Sequence, residues 1–230
     1  MLKVKNGRAV RDVAAATYRA DVRRNLPVIF AIALTTLLIS AVMAMGTSYW
    51  KTISQRQILM EGMDYDIELT EPREDQVEKI RSMEEVKHAG VAVKCAVIEK
   101  YKDKETGKVR LFCLDDICWE KQTVPALETY EGEYPQAENE IMLSTAALRA
   151  MGIKSPEQGM SLPVTYYTLK MDDSYDELTK EFRLSGWYRD YSGGLRGYVS
   201  DSFLETTGVK QTDFTQGSLK ITLKNPLYSE

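Results

Sequence analysis

Val28-Ile-Phe-Ala-Ile-Ala-Leu-Thr-Thr-Leu-Leu-Ile-Ser-Ala-Val-Met-Ala-Met-Gly46 decides how the rest of the chain is read. The 19 residues carry no charge. As a helix they extend about 28 Å, close to the roughly 30 Å hydrocarbon thickness of a bilayer. Thr35, Thr36 and Ser40 fit such a helix, because a hydroxyl can bond back to a carbonyl one turn earlier or to a neighbouring helix. Pro27 stands at its entrance, where a missing N–H costs nothing. Tyr49 and Trp50 stand at its far end, where amphipathic rings favour the headgroup zone. The expectation is a transmembrane helix over residues 28–46.

Two other readings compete with an anchor, a cleaved signal peptide and a buried core helix. Ala44-Met45-Gly46 is a small-x-small sequence of the cleavable kind, and cationic residues precede the apolar run as they do in secretion signals. Against cleavage, 27 residues lead into the run, and the run is longer than the usual apolar region of about 7–15 residues. Those 27 residues hold Lys3, Lys5, Arg8, Arg11, Arg19, Arg23 and Arg24 against Asp12 and Asp21, a local charge of +5 in a chain whose net is −4, so the remainder carries −9. By the positive-inside rule Arg19, Arg23 and Arg24 set the topology. Residues 1–27 form a cytoplasmic basic tail, and the main domain is extracytoplasmic at the cell membrane. Residues 8–24 are compatible with a short interfacial helix, with Val10, Val13, Ala14 and Tyr18 toward lipid.

Beyond the span, Lys51 to Met60 has no Pro or Gly, so the helix is expected to continue as a stalk over 47–62 until Gly62. Residues 63–230 then form an extracytoplasmic domain, and no later stretch is apolar enough to cross again. Tyr65–Leu69 alternates as a half-buried strand does, and Pro72 opens a helix over Arg73–Ile80 with Val77, Ile80 and Met83 on one face. A strand from about His88 to Tyr101, a polar turn around Glu105 to Gly107, and Lys108 to Leu114 read as a hairpin. Glu140–Ser144 reads as a strand whose Ser144 caps a helix from Thr145 to Met151, ended by Gly152. Further strands are expected at Ser161–Lys170, Leu178–Tyr188, Arg196–Ser200 and Leu219–Leu223, with a helical turn at Asp201–Thr206. The fold class is α+β: one N-terminal transmembrane helix, then a two-lobed mixed α/β extracytoplasmic domain.

Little in the sequence points to catalysis. His88 is the only histidine, which excludes a two-histidine metal motif. There is no Gly-x-Ser-x-Gly elbow and no Gly-x-x-x-x-Gly-Lys-Ser/Thr phosphate loop. Asp115-Asp116, Asp172-Asp173 and Glu84-Glu85 are ordinary adjacent acids of an acidic body. The run Asp172-Asp173-Ser174-Tyr175-Asp176 lacks the glycine and terminal glutamate of a calcium loop. No cofactor and no metal is implied, and an acidic body argues against nucleic acid as a partner. Three cysteines leave one thiol over if a disulfide forms. Folding the hairpin about Glu105 brings Cys95 nearly opposite Cys113, within reach of a cross-strand disulfide, with two small buried thiols as the alternative.

Tyr130-Glu-Gly-Glu-Tyr-Pro-Gln-Ala-Glu-Asn-Glu-Ile-Met-Leu-Ser144 resembles a stretch of the extracytoplasmic domains of MacB/FtsX-type ABC transporter permeases. Gly132 and Pro135 stand for its turn, Glu140 and Ile141 for the start of its strand, and Ala147-Leu148 with Met151-Gly152 for the following helix and its stop. Gln158-Gly159-Met160, Phe182-Arg-Leu-Ser-Gly186 and Tyr198-Val-Ser200 are similar to later motifs in the same order. The basic head ending in Arg23-Arg24 before a single span is similar too. In physical terms Gly132, Gly152 and Gly186 suit turns or close backbone approach, while Ile141, Leu143 and Leu184 suit a core.

The resemblance implies a permease subunit, not an enzyme itself. Its partners would be an ABC ATPase subunit, a second permease copy or half, and the lipid bilayer. It would couple ATP hydrolysis to movement of the outer domain for export or mechanotransmission. Such a permease has further spans, so a chain ending at Glu230 is expected to be a fragment or a truncated gene. The same anchor and acidic domain would equally serve a single-pass membrane-anchored extracellular binding module, and an anchored hydrolase would need a cleft with a nucleophile and base.

Overall fold

The structure, a computed structural model, describes residues 6–20, 22–168, 177–208 and 217–225, without the side chains of residues 20, 22–25, 50, 51, 54 and 57. Lys3, Lys5, Asp21, the side chains of Arg23, Arg24 and Trp50, the acidic run 172–176 and the end of the strand expected to reach Lys170 lie outside the described residues. The chain divides into two compact units, Met1–Gln55 and Arg56–Glu230.

The first unit is helical. α1 spans Gly7–Ala20, and Val10, Val13 and Tyr18 are exposed along it. α2 runs from Val22 to Glu61. It starts five residues before Pro27, so this proline lies within the helix rather than at its entrance, and the carbonyl one turn earlier loses its donor. Leu26–Tyr49 is long and apolar enough to cross a membrane, and none of it is buried. Phe30, Leu37 and Met43 each keep about two-thirds or more of their surface open (71%, 67% and 68%). Among the described residues nothing buries this face. Thr35 Oγ1 donates to the Ala31 carbonyl at 2.8 Å and Thr36 Oγ1 to that of Ile32 at 2.8 Å, so these hydroxyls are satisfied within the helix.

In the second unit the strands are β1 Ile67–Thr70, β2 Val86–Tyr101, β3 Lys104–Leu114, β4 Thr129–Gly132, β5 Glu140–Ser144, β6 Ser161–Thr168, β7 Glu177–Arg189, β8 Arg196–Val199 and β9 Gly217–Leu223. The helices are α3 Glu74–Arg81, α4 Thr145–Ala150 and α5 Asp201–Thr206, with a π-helical turn at Cys118–Thr123. All nine strands share one sheet. β2 pairs with β3, β3 with β8, β8 with β5, β5 with β7, β7 with β6, and β6 returns to β2, so six strands close into a ring. β9 and β1 branch from the first half of β2, and β4 branches from the last residues of β7. The two lobes expected from the sequence are therefore one compact unit built on a continuous sheet.

Alternation assigns the two faces of the ring. Val93, Cys95 and Ile98 of β2, Val109, Leu111 and Cys113 of β3, Ile141 and Leu143 of β5, and Phe182 and Leu184 of β7 share the main core with α4 and α5. The intervening residues Ala92, Leu114, Met142, Tyr188 and Tyr198 belong to a second cluster with Met63 and Cys118, flanked by Phe112, Trp119 and Tyr134. This period-two split is what a pleated strand with both faces covered requires.

Several local readings hold. Arg73 N donates to Gln76 Oε1 at 2.9 Å at the start of α3, where Val77 is buried and Met83 is not. Ser144 Oγ accepts from Ala147 N at 3.1 Å, and Ser200 Oγ from Phe203 N at 3.1 Å, capping α4 and α5. The hairpin differs. Its turn is Lys102-Asp103, both with positive φ (48° and 63°), as the tight turns that match strand twist demand, and β3 begins at Lys104 rather than Lys108. Gly107 and Lys108 form a bulge opposite Glu99 instead of the turn itself.

Candidate functional site

The last turns of α2 enter the second unit at Arg56, and they end because Gly62 takes a left-handed backbone (φ 72°). Its N–H still reaches the Ile58 carbonyl at 2.8 Å. The chain then crosses the outer face of the ring in an extended path held residue by residue. Met63 is 8% exposed and fills the second cluster against Ala92, Leu114, Met142, Tyr188 and Tyr198. Asp64 N donates to the Gln122 carbonyl at 2.7 Å, and Thr222 Oγ1 donates to the Asp64 carbonyl at 2.9 Å. Asp66 N donates to the Ile221 carbonyl at 2.8 Å, which starts β1 on β9.

One contact closes the helix end itself. Arg196, at the start of β8, donates from Nη1 to the Glu61 carbonyl at 2.8 Å. A guanidinium on a C-terminal carbonyl satisfies an orphan acceptor and also opposes the negative end of the helix dipole. Burial with Glu68 and Glu61 as neighbours raises the Tyr65 phenol well above its ordinary value, so it stays a neutral donor to Glu61 and Glu68 beside the junction. Within the second unit the arrangement closes the end of the helical segment that begins at Arg56, and among the described residues no nucleophile–base pair converges on it.

The motif residues meet in a second place, where β4, β5 and β7 adjoin. Gly132 and Gly186 lie directly opposite each other. A Cβ on Gly132 (φ 85°) would stand 2.2 Å from the Ser185 carbonyl oxygen, and one on Gly186 would stand 2.4 Å from that of Glu131. Gly132 thus ends a strand and permits a close backbone approach, one of the two roles its sequence position allows. Pro135 is buried in the following loop. That loop is pinned by Tyr134, whose hydroxyl accepts from Leu114 N at 2.9 Å and lies 3.1 Å from the Val199 carbonyl. Glu140 closes it: its carboxylate accepts from Gln136 N at 3.0 Å, Ala137 N at 3.1 Å and Arg183 Nη2 at 2.7 Å. Those bonds hold its pKa below the ordinary glutamate value, the backbone donors first and Arg183 after. Ile141 is fully buried, and Gly152 (φ 80°) stops α4.

The register does not set Cys95 directly opposite Cys113. All three cysteines are free and buried. A bulge between Lys94 and Ala96 leaves Val93, not Cys95, opposite Cys113. The Cys95 thiol lies 3.5 Å from the Leu111 carbonyl, whereas the Cys113 thiol is 2.9 Å from Asp201 Oδ1. Burial pushes the Cys95 and Cys118 thiols up to about 12. Arg19 lies in the last turn of α1. Burial and Lys87 lower His88, which sits on β2 beside β9 with no catalytic partner given by its geometry. Among the described residues no group of three or more His, Cys, Asp or Glu side chains is gathered as a metal would need.

Two of the solved structures to which the chain is similar are domains of transport proteins. One is the extracellular domain of the noncanonic ABC-type transporter YknZ from Gram-positive bacteria, with 12% identity and a TM-score of 0.46 over 67% of this chain and 74% of that one. The other is the periplasmic region of MacB from Actinobacillus actinomycetemcomitans, with 15% identity and a TM-score of 0.39 over 68% of this chain and 66% of that one. No protein-family model and no curated protein matches the sequence. The chain itself is of mixed helix-and-strand class, a sheet-rich body after one N-terminal apolar helix.

Sequence reasoning missed Met63, Tyr134, Arg183 and Arg196. Tyr134 sat inside the quoted motif and could have been flagged as a tyrosine needing a buried partner. Arg196 carried no local signal, since the carbonyl it caps is 135 residues away.

Proposed function

We propose that this chain is the N-terminal part of a MacB/FtsX-type ABC transporter permease. In this reading residues 1–27 are a cytoplasmic tail oriented by Arg19, Arg23 and Arg24, 28–46 the span, 47–62 the stalk, and 63–230 the extracytoplasmic domain. A separate ATPase subunit docks on the cytoplasmic side of the full permease, which works as a dimer or with a second permease half. Its hydrolysis cycle moves the outer domain. The observation that carries the reading is that one helix, Val22–Glu61, contains the apolar segment and also ends at the Arg196 and Met63 clasp. A helix transmits displacement along its axis because every turn is hydrogen-bonded to the next.

The test uses the full-length permease with its ATPase in nanodiscs, reading hydrogen exchange of residues 62–66 and β8 with ADP and with ATP plus vanadate. A nucleotide-dependent change that disappears when Gly-Gly is inserted after Gln55 supports the coupling. Exchange that ignores nucleotide, or a change that survives the insertion, refutes it and leaves an anchored binding module as the better account.

A further inference from the structure

On the outward face of the ring the pleat places three cations on adjacent strands. Lys94 of β2 lies opposite Phe112 of β3, Arg110 is two residues before Phe112 on the same face, and Arg110 is in register with Arg196 of β8. Neighbouring strands stand about 4.8 Å apart, so two guanidinium stems start side by side, an arrangement that is destabilising unless something negative lies between them. Elsewhere on the sheet Lys100 pairs with Glu177, Lys180 with Glu138, Arg183 with Glu140, Arg189 with Glu128 and Lys220 with Glu68, while Lys87, Lys104 and Lys108 are exposed to water and, among the described residues, join no ion pair. Among the described residues Lys94, Arg110 and Arg196 join no ion pair. Asp190, on the loop before β8, accepts from Ser192 Oγ at 2.8 Å and Gly193 N at 2.9 Å and places its negative charge near Arg196 without forming an ion pair with it.

Lys94 adds a second, independent sign. It is half-buried beside Phe112 with no acceptor, and burial followed by Arg110 lowers its pKa. An ammonium withdrawn from water without a partner is costly.

We propose that the outward face of β2, β3 and β8 is a binding site for a phosphate group, held by Lys94, Arg110 and the free part of Arg196. Paired guanidinium groups match the oxygens of a phosphate, and the lysine supplies a point charge. The phosphate belongs either to a free solute or to a lipid headgroup, and both sources present the same dianionic or monoanionic oxygens. The site stands independently of the permease reading.

The experiment uses the full chain in phosphatidylcholine nanodiscs, measuring the thermal midpoint against inorganic pyrophosphate at constant ionic strength, and separately in nanodiscs containing phosphatidylglycerol. The variants are Lys94→Gln and Arg110→Gln. Arg196 is left intact because it also caps α2. A saturable rise with pyrophosphate in the wild type, weakened about tenfold in each variant as the loss of one charge-assisted hydrogen bond implies, establishes a free-phosphate site. A rise confined to phosphatidylglycerol discs and lost in both variants establishes a headgroup site. Arg110→Lys keeps one donor and the charge, so partial retention of binding there separates a ligand role from a folding defect. No rise in either arm, or an equal rise in wild type and variants, overturns the proposal.

Discussion

Replacing Glu140 separates two contributions that the sequence motif runs together. Its side chain is 14% exposed, while that of its partner Arg183 is 61% exposed. An ion pair with one member largely in water is worth about 0–1 kcal/mol. A carboxylate accepting backbone N–H groups makes bonds of about 1.5–3 kcal/mol each, but Gln136 and Ala137 are exposed and water can replace the lost acceptor. Glu140→Ala is therefore expected to cost about 2 kcal/mol, Glu140→Gln about 1 kcal/mol because one acceptor remains, and Arg183→Ala under about 1 kcal/mol.

Urea unfolding of the full chain in detergent, followed by tryptophan fluorescence, ranks the three. The folded pKa of Glu140 lies below its unfolded value of 4.5. Its contribution is thus complete above that pH and is lost as pH falls through the folded pKa. The gap between wild type and Glu140→Gln should be constant at neutral pH and shrink in acid below about pH 4.5. Arg183→Ala costing as much as Glu140→Ala would refute the claim that the backbone donors dominate, and a gap that widened in acid would refute the sign.

Gly132→Ala is expected to cost about 2–4 kcal/mol, from a left-handed backbone plus overpacking, or to detach β4, which rapid amide exchange confined to 129–132 would reveal. All three thiols should resist a thiol reagent in the folded chain, because each is buried, and three should react after denaturation without reductant. One reactive thiol instead would mean that a disulfide had formed. Arg196→Ala is expected to speed exchange of the Gly62 and Asp64 amides while leaving those of β5 unchanged, and equal acceleration in β5 would mark a global loss of stability rather than a freed helix end.

What the sequence revealed followed from short-range rules. The cap at Ser144 and the strand Glu140–Ser144 depend on neighbours within a few residues, and each stands where local chemistry placed it. The hairpin turn went astray because Gly107 offered a stronger glycine signal than Lys102-Asp103, although the positive φ angles fall at both places. The short strand β4 was invisible since all four of its residues are exposed and no alternation marks them. Ring closure could not be read at all. It depends on β2 changing partner from β9 to β6 along one edge, a choice made by residues up to 137 positions away (Val86 opposite Leu223). The same distance hid Arg196, and with it the junction.

That closure bears on what a four-residue strand can withstand. β8 carries Arg196 at the end of α2 and Tyr198 beneath Met63, so a displacement of Glu61 would reach it first. At the edge of an open sheet such a strand would be held on one side only. Here β3 bonds it in parallel and β5 antiparallel, Gly197 fits closely between Leu111 and Leu143, and Val199 is buried in the core. Immediately beyond, Ser200 caps α5 and its hydroxyl donates to the Ala137 carbonyl at 2.9 Å, in the loop that Glu140 organises. β8 thereby joins two ladders, a helix cap and the motif loop, and a closed ring has no free edge along which one strand can slip. The glycines and the glutamate that stand out in the sequence lie at the far end of that same chain of contacts from Arg196.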